Sequence, residues 1–326
     1  MIRALVSIGT NSTRLLVQDG ERSLAAESRG TRLGAGIGLS GTIDAAARER
    51  TLVAVDEYVA IARRLGVTVV DAIATSALRR ASDAAAFGDE VAARVGTAPR
   101  ILSGAEEATY SFLGATAARR GDTPVAVLDV GGGSAELAVD APDRARERST
   151  VEHVRSLEIG AVRLSDRHPA LLGARALDEA ERSALEAEAR IDASAVLAPF
   201  AELRGFEELI VVGGTAFTAA AMIAGGAHDG TTMARDDTRA LIDELLARNL
   251  DARKAMPQIR PQRADILPAG LIVVDEACRL LGVDRFTVSE ADLLLGYLNS
   301  PAFRAAPLAP ERPLHPSNDA GGMMVE

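Results

Sequence analysis

The chain has 326 residues, of which 48% are hydrophobic and 25% charged, so it is long enough to bury a large core and to divide into two domains. A net charge of −10, with 3% aromatic residues and no Trp, argues against a nucleic-acid partner or a membrane surface, since these need basic patches or stacking platforms. Cys278 is the only cysteine, which excludes an intrachain disulfide, and without a long apolar segment we expect a cytoplasmic protein.

The first predicted element is a buried strand, Ala4 to Ile8, that ends in the turn Gly9-Thr10-Asn11-Ser12. Because the residues from Arg14 to Val17 look like a second strand, the pattern predicts a hairpin. The turn offers backbone donors and small polar side chains, and Arg14 adds a cation. It is a candidate phosphate-binding turn, although an ordinary turn that satisfies its own backbone explains the same residues.

Helical spacing follows from Ala46 to Leu65, where apolar residues recur at three- and four-residue intervals. Arg79 comes just after an apolar run, Val67 to Ala74, and is expected near the end of a strand. Guanidinium binds phosphate oxygens bidentately, so Arg79 is a candidate phosphate contact, with a solvated loop cation as the alternative. Weaker candidates of the same kind are Arg163, Arg260 and Arg263. Further helices are expected over residues 83–94, 105–118, 178–193, 215–223, 237–250 and 264–281.

Ser103 and Glu106 stand three residues apart at the start of one predicted helix. This is the spacing of a capping box, in which the Glu106 carboxylate reaches back to the N–H of the cap residue. Glu107, about 100° further round the helix, is left without a local partner. It is a candidate general base for a water molecule near bound phosphate. An acid that only complements the helix dipole is the alternative.

The second predicted hairpin runs from Asp129 to Glu136 and turns through Gly131-Gly132-Gly133-Ser134. Three consecutive glycines carry a large conformational entropy cost, which favours a ligand close to the backbone over a bare turn. Asp129, directly after an apolar strand, adds a carboxylate that could bind Mg²⁺ or water. A third apolar strand ends in the turn Gly213-Gly214-Thr215. Neither a Walker loop nor a dinucleotide fingerprint fits the two hairpins.

The two glycine hairpins are about 120 residues apart, and each opens an alternation of strands and helices, which indicates a duplicated α/β unit. We expect an N-terminal domain at residues 1–120, a C-terminal domain at 121–302 and a mobile tail at 303–326. The boundaries follow from polar, turn-rich composition near residues 119–124 and after residue 301. Each domain would contribute one phosphate-binding turn.

The order and spacing of five motifs resemble the exopolyphosphatase and guanosine pentaphosphate phosphohydrolase (Ppx/GppA) family, in its short form, over about residues 3 to 300. The resemblance implies an α/β fold of two ribonuclease H-like domains, as in the actin, Hsp70 and sugar kinase superfold, with an interdomain cleft. The motifs are Gly9-Thr10-Asn11-Ser12, Ala74-Thr75-Ser76-Ala77-Leu78-Arg79, Ser103-Gly104-Ala105-Glu106-Glu107-Ala108, Asp129-Val130-Gly131-Gly132-Gly133-Ser134-Ala135-Glu136 and Val212-Gly213-Gly214-Thr215.

The same resemblance implies roles for individual residues. Glu107 is expected to be the catalytic base that activates water, and Arg79 to contact the phosphate chain. Asp129 and Glu136 are expected to bind Mg²⁺ or Mn²⁺. The implied substrate is inorganic polyphosphate or guanosine pentaphosphate, and a homodimer is compatible with the family. The implied substrate-binding residues are Gly9, Thr10, Asn11, Ser12, Arg14, Gly131, Gly132, Gly133, Ser134, Gly213, Gly214 and Thr215.

Ser7 departs from the family pattern, which usually has Asp at this position. The loss of a carboxylate beside the metal is expected to affect turnover more than binding. A second hypothesis is therefore a catalytically weak sensor that binds polyphosphate or guanosine tetra- and pentaphosphate. A third is a kinase of the same superfold, with nucleotide near Gly213-Gly214-Thr215, because fold alone does not determine function.

Overall fold

The computed structural model of the chain describes residues 1–120, 123–140, 151–225 and 229–310. They form two mixed β-sheets flanked by helices. The first sheet contains β1 (Ile2–Ile8), β2 (Thr13–Asp19), β3 (Arg22–Arg29), β4 (Val69–Ala74), β5 (Arg100–Ile101) and β12 (Ala306–Pro307). The second contains β6 (Val125–Val130), β7 (Ala135–Asp140), β8 (Val151–Leu157), β9 (Glu208–Val212), β10 (Thr232–Ala234) and β11 (Arg285–Val288). The helices are α1 (Ile37–Ser40), α2 (Ala45–Arg64), α3 (Ser76–Arg80), α4 (Ala84–Val95), α5 (Gly104–Thr116), α6 (Ala161–Arg167), α7 (Glu179–Leu197), α8 (Gly214–Ala224), α9 (Arg235–Leu246), α10 (Leu250–Lys254), α11 (Leu267–Leu281) and α12 (Leu293–Leu298).

The two sheets share one strand order. In the first sheet, β1 lies between the antiparallel β2 and the parallel β4, and in the second, β6 lies between the antiparallel β7 and the parallel β9. β3 and β8 extend the sheets on one side, and β5 and β11 on the other. This repeated order confirms the predicted fold class of two related α/β domains.

The central strands read as apolar runs because packed elements cover both of their faces. In β6, Leu128 belongs to the large core that includes α11, whereas its neighbour Val127 packs on the other face against Ala108 and Phe112 of α5. Successive side chains of a strand point to opposite faces. Both faces of β6 are therefore buried, and its carboxyl end is fixed where the second glycine turn begins.

Two helices cross from one half of the molecule to the other. α5 directly follows β5 of the first sheet, yet its Ala108 and Phe112 pack on the second sheet. α12 follows β11 of the second sheet, yet its Leu294 and Leu298 pack with Leu5 of β1. α5 and α12 also pack against each other. Each sheet is therefore covered in part by a helix that comes from the other one.

This exchange places the domain boundaries differently from the sequence prediction. By packing, the first domain comprises residues 1–103 and 293–310, and the second comprises residues 104–292. The sequence predicted 1–120 and 121–302, because only the polar composition near residue 121 marked a boundary. Residues 121–122 themselves lie outside the described part of the chain.

The C-terminal segment returns to the first sheet. β12 pairs with Val69 and Val70 of β4, and Arg304 donates from Nε to Oδ1 of Asp71 at 2.9 Å. Asp71 is fully buried in β4. The prediction of a mobile tail from residue 303 is therefore wrong for residues 303–310, because a strand edge and a buried carboxylate hold them. The rest of that tail, residues 311–326, lies outside the described residues.

The helices expected from apolar spacing are confirmed within four residues at each end. The short helices were not predicted, because a helix of four to seven residues gives too short a window for a helical period. They are α1, α3, α6, α10 and α12. In the part of the chain that the structure describes, no helix has the length and apolar character needed to span a bilayer.

Candidate active site

The two glycine turns have the same backbone geometry. In the first, the N–H of Gly9 donates to the carbonyl of Ser12 at 3.0 Å, and in the second the N–H of Gly131 donates to the carbonyl of Ser134, also at 3.0 Å. Each turn joins two antiparallel strands at the centre of its sheet. Both are hairpins, as predicted, and they lie at the same place in the two domains.

In each turn, carbonyl groups accept hydrogen bonds from a segment outside the hairpin, so they do not face the ends of the strands. The carbonyls of Thr10 and Asn11 accept hydrogen bonds from the segment after β3, and those of Gly131 and Gly132 accept hydrogen bonds from the start of α6. Within the described residues, the N–H groups of Thr10, Asn11, Gly132 and Gly133 donate to no backbone carbonyl. Successive N–H groups without backbone partners form the kind of concavity that binds anions.

The two turns meet directly across the domain boundary. A Cβ on Gly133 would lie 2.6 Å from Oγ1 of Thr10 and 2.7 Å from Oγ of Ser76, and a Cβ on Gly132 would lie 3.1 Å from Cβ of Asn11. Only a residue without a side chain allows this approach at Gly133. The glycines of the second domain therefore permit the polar turn of the first domain to close on them.

A cavity of about 100 Å³ lies between the two turns. Small-molecule pockets usually measure about 300 to 1,000 Å³, so this cavity suits a phosphate group rather than a nucleoside. Arg79 and Glu136 are not on its wall. The predicted site residues on its wall are Gly9, Thr10, Asn11, Ser12, Arg14, Glu107, Asp129, Gly131, Gly132, Gly133, Ser134, Gly213, Gly214 and Thr215.

Glu107 reaches the cavity from the first turn of α5. Nη1 of Arg79 donates to Oε2 of Glu107 at 2.6 Å and to the carbonyl of Leu102 at 2.8 Å. Glu107 is 7% exposed. Arg79 therefore stands behind the carboxylate and fixes its orientation.

Glu106 serves the helix instead, as the sequence predicted. Its Oε2 accepts a hydrogen bond from the N–H of Ser103 at 2.8 Å, and the N–H of Glu106 donates to Oγ of Ser103 at 3.2 Å. This reciprocal pair is the capping box. It orients the first turn of α5, so that the next residue, Glu107, projects into the cavity.

Three carboxyl groups, the buried Glu107 and Glu136 and the half-buried Asp129, lie close together in and behind the cavity. Burial raises the pKa of Glu107 to about 7, opposed by Arg79 and assisted by the charge of Asp129. Burial and the charge of Asp292 raise the pKa of Asp129 to about 6. Burial, Glu107 and Asp129 raise the pKa of Glu136 well above its usual range. A carboxylate whose pKa lies near neutrality is suited to accept a proton from water.

Asp129 and Glu136 face each other across the β6–β7 hairpin. Oδ2 of Asp129 accepts a hydrogen bond from Oγ of Ser111 at 2.6 Å, and Oε1 of Glu136 accepts one from Oγ of Ser156 at 2.8 Å. Each carboxylate thus accepts a hydrogen bond from a serine hydroxyl. Asp129 lies on the cavity wall, and Glu136 lies behind it.

Two arginines and a further acid complete the wall. Oδ2 of Asp292 lies 2.5 Å from Nη1 of Arg14, and Nη2 of Arg263 donates to Oγ of Ser12 at 3.5 Å. Burial lowers the pKa of Arg263 to about 10, and the charges of Arg14 and Arg260 add to this. The mutual repulsion of these cations would be relieved by a bound anion.

Asp292 was not predicted as a site residue, and Arg263 was only a weaker candidate. Asp292 is the N-cap of α12, and an acid just before an apolar helix is the sequence signal that could have marked it. That signal gives a helix start and no position in space. Of the other weaker candidates, Arg163 pairs with Glu158.

The third small-residue turn differs from the hairpins, because it leads from β9 into α8. Gly213 has a φ of 95°, in the left-handed region that favours glycine. A Cβ on Gly214 would overlap the guanidinium of Arg263, at 2.0 Å from its central carbon. Arg263 therefore covers the start of α8, where the kinase hypothesis would place a nucleotide.

Comparison with known proteins agrees with this geometry. Residues 17–300 match the model of the Ppx/GppA phosphatase family. The chain belongs to this family. The match begins within β2, after the first glycine turn, and includes the second glycine hairpin, so the predicted family is confirmed over most of the chain.

Individual members of the Ppx/GppA family are similar over both domains. Exopolyphosphatase 2 of Mycobacterium tuberculosis (strain CDC 1551 / Oshkosh) is 30% identical over 319 residues, covering 90% of this chain and 96% of its own. The guanosine-5'-triphosphate,3'-diphosphate pyrophosphatase of Aeromonas salmonicida (strain A449) is 24% identical over 303 residues, covering 90% of this chain and 58% of its own. The crystal structure of an exopolyphosphatase-like protein has a TM-score of 0.82 at 27% identity, covering 93% of this chain and 99% of its own.

Proposed function

We propose that the chain is a hydrolase of phosphoric anhydride bonds that releases the terminal phosphate of inorganic polyphosphate or guanosine pentaphosphate. The observation that carries this proposal is Glu107, a buried carboxylate with a pKa of about 7 on the wall of a cavity of phosphate size. The names of two relatives, an exopolyphosphatase and a guanosine-5'-triphosphate,3'-diphosphate pyrophosphatase, support the two substrates.

In this proposal the terminal phosphate lies between the two glycine turns. The unpaired N–H groups of Thr10, Asn11, Gly132 and Gly133 would donate to its non-bridging oxygens. The guanidinium groups of Arg14 and Arg263 would offset its charge. Because phosphoryl transfer depends mainly on positioning and charge stabilisation, these donors would supply most of what the reaction requires.

Glu107 would accept the proton of the attacking water. Its Oε2 is held by Arg79, which leaves Oε1 to take the proton. The water oxygen forms a bond to the terminal phosphorus while the bridging P–O bond opposite it breaks. The bond's electron pair leaves on the oxygen of the shortened chain, and inorganic phosphate is the second product.

The oxygen groups of the cavity fit Mg²⁺ or Mn²⁺. Within the described residues, no three His, Cys, Asp or Glu side chains form a metal cluster by themselves. Mg²⁺ usually binds one or two carboxylates and completes its shell with water and substrate phosphate, so Asp129, with Glu136 behind it, would hold the ion. When bound, the ion would offset charge on the phosphate oxygens.

The sensor remains a second candidate, because Ser7 leaves the first hairpin without a carboxylate. A chain that binds the substrates but cannot position the ion would hold phosphate without cleaving it. We further propose a cytoplasmic location, which suits the buried free thiol of Cys278.

The test is phosphate release by the purified chain, with Mg²⁺ and either polyphosphates of several lengths or guanosine pentaphosphate. If the chain is a hydrolase, it should release phosphate over many turnovers, and release should stop when Mg²⁺ is chelated. Tight binding of either substrate without release would favour the sensor. Glu107→Gln serves as the inactive control for contaminating phosphatase.

A further inference from the structure

The two hairpins differ at one position that matters for a cation. Ser7 in β1 and Asp129 in β6 each stand two residues before the first glycine of their turn. Each also pairs with the residue that ends the hairpin motif, Arg14 for Ser7 and Glu136 for Asp129. The second hairpin therefore offers a carboxylate to the cavity, and the first offers only a hydroxyl.

Asp292 brings a carboxylate to the side that lacks one. It lines the same cavity as Ser7 and Asp129 and is 5% exposed. Its Oδ2 lies 2.5 Å from Nη1 of Arg14, the cross-strand partner of Ser7. The acid thus reaches the first hairpin from α12, which lies beyond the whole second sheet in the sequence.

The position of Asp292 is built into the fold. Its Oδ1 accepts a hydrogen bond from the N–H of Leu294 at 3.0 Å, which caps α12. A Cβ on Gly114 would lie 2.0 Å from the carbonyl oxygen of Asp292, and a Cβ on Gly296 would lie 1.9 Å from that of Tyr110. The backbones of α5 and α12 therefore touch, so that Asp292 is fixed relative to the helix that carries the proposed base.

Besides Asp292, a side-chain oxygen of Asn11 lies at the cavity, and it lacks a hydrogen-bond partner. Asn11 is 6% exposed and lines the cavity, and its Nδ2 donates to Oγ of Ser12 at 3.2 Å. Its Oδ1 is buried and accepts no hydrogen bond from the described residues. A buried acceptor without a partner costs about 1 to 3 kcal/mol, so a ligand that binds this oxygen is indicated. Amide and carboxylate oxygens are the ligands that Mg²⁺ and Mn²⁺ prefer.

We propose that Asp292 is the metal-binding carboxylate beside the first hairpin and that, with Asp129, it holds the divalent cation in the role that Ser7 cannot fill. A carboxylate has about four lone-pair sites, and Arg14 and the N–H of Leu294 use two of them. The inference rests on the proposed Mg²⁺-dependent function. It also implies that Ser7→Asp alone gives no gain in activity, because it adds a second acid next to Asp292.

Mn²⁺ binding, followed by electron paramagnetic resonance, tests the inference without measuring turnover. Asp292→Asn keeps a good N-cap residue, so the chain is expected to fold. We expect its affinity for Mn²⁺ to fall at least about tenfold and Ser7→Asp/Asp292→Asn to recover most of the loss. The matched control is Asp275→Asn, which removes another buried Asp that pairs with arginines, away from the cavity. Its Mn²⁺ affinity should equal that of the wild type.

Three other results of the Mn²⁺-binding experiment would each contradict a separate part of the proposal. If the wild type binds Mn²⁺ and Asp292→Asn binds it equally well, Asp292 only orients Arg14, and this inference alone fails. If Asp292→Asn lowers the affinity for Mn²⁺ and the double variant does not recover it, a carboxylate at position 7 cannot replace Asp292. The claim that Asp292 substitutes for an acid at position 7 then fails. If the folded wild type binds no Mn²⁺ in the presence or absence of polyphosphate, the metal in the proposed function fails as well.

Discussion

Arg79 and Glu107 form an ion pair of 2.6 Å between α3 and the start of α5. Arg79 belongs to the first domain, and the helix of Glu107 packs on the second sheet. The proposed base is therefore oriented from one domain and supported by the other. Its geometry depends on the closed arrangement of the two domains.

Glu107→Gln tests the proposed base. The amide keeps the shape of the side chain but cannot take a proton, so phosphate release should fall about 10²- to 10⁴-fold. Binding of polyphosphate, measured by calorimetry, should change far less. Glu106→Gln is the matched control, because it changes the same charge one residue earlier and a Gln still completes a capping box. Equal turnover in wild type and Glu107→Gln would contradict the assignment.

Gly133→Ala tests the contact between the two turns. The new Cβ would lie 2.6 Å from Oγ1 of Thr10, so the domains must move apart or Thr10 must shift. We expect phosphate release to fall at least about tenfold, because the donors of the two turns no longer meet one phosphate. Gly88→Ala in α4 is the control, since its Cβ would lie 3.8 Å from Pro99 and alanine favours the helix by about 0.5 to 1 kcal/mol. Wild-type turnover in Gly133→Ala would show that closure is not required.

Arg304→Ala tests the C-terminal segment. Asp71 is fully buried, so removing its guanidinium partner leaves a buried charge short of a donor and should lower the free energy of unfolding by about 3 kcal/mol. Urea denaturation would measure this. Arg48→Ala is the comparison, because Arg48 pairs with the partly exposed Glu90 and its loss should cost less than about 1 kcal/mol. Equal losses in the two variants would argue against an ordered segment at residues 303–310.

Cys278 gives a prediction for alkaline pH. Burial raises the pKa of its thiol from 9.0 to about 12. Above pH 9 the unfolded chain loses this proton while the folded chain keeps it, so the free energy of unfolding should fall as pH rises from about 9 to 12. Relative to Cys278→Ala, the wild type should lose about 1.4 kcal/mol more between pH 8 and pH 10. Parallel pH dependence of the two chains would contradict a buried thiol.

The sequence was most informative where a residue pattern has one local meaning. The glycine turns and the Ser103–Glu106 capping box were predictable, because their geometry depends on backbone conformation and on neighbours three residues apart. The separate role of Glu107 then followed from the helical angle. These features carry most of the candidate site.

Contacts between distant parts of the chain were not predictable in the same way. The sequence alone gives no spatial partner for Asp292, which meets Arg14 across 278 positions of sequence. The return of β12 to β4 was hidden for a similar reason, since two paired residues give no recognisable period. Polar, proline-rich composition near residue 301 suggested mobility, whereas the pairing of β12 with β4 and the contacts of Arg304 with Asp71 hold residues 303–310.

The exchange of α5 and α12 between the two sheets has a consequence for expressing the chain as two separate fragments. A cut at residue 121 would leave the first fragment with an apolar helix that has no sheet to cover, and the second fragment with the helix that the first one needs. Neither half is expected to survive alone as an independent folding unit. Co-expressed halves, by contrast, should associate, because each contains the helix that covers the sheet of the other.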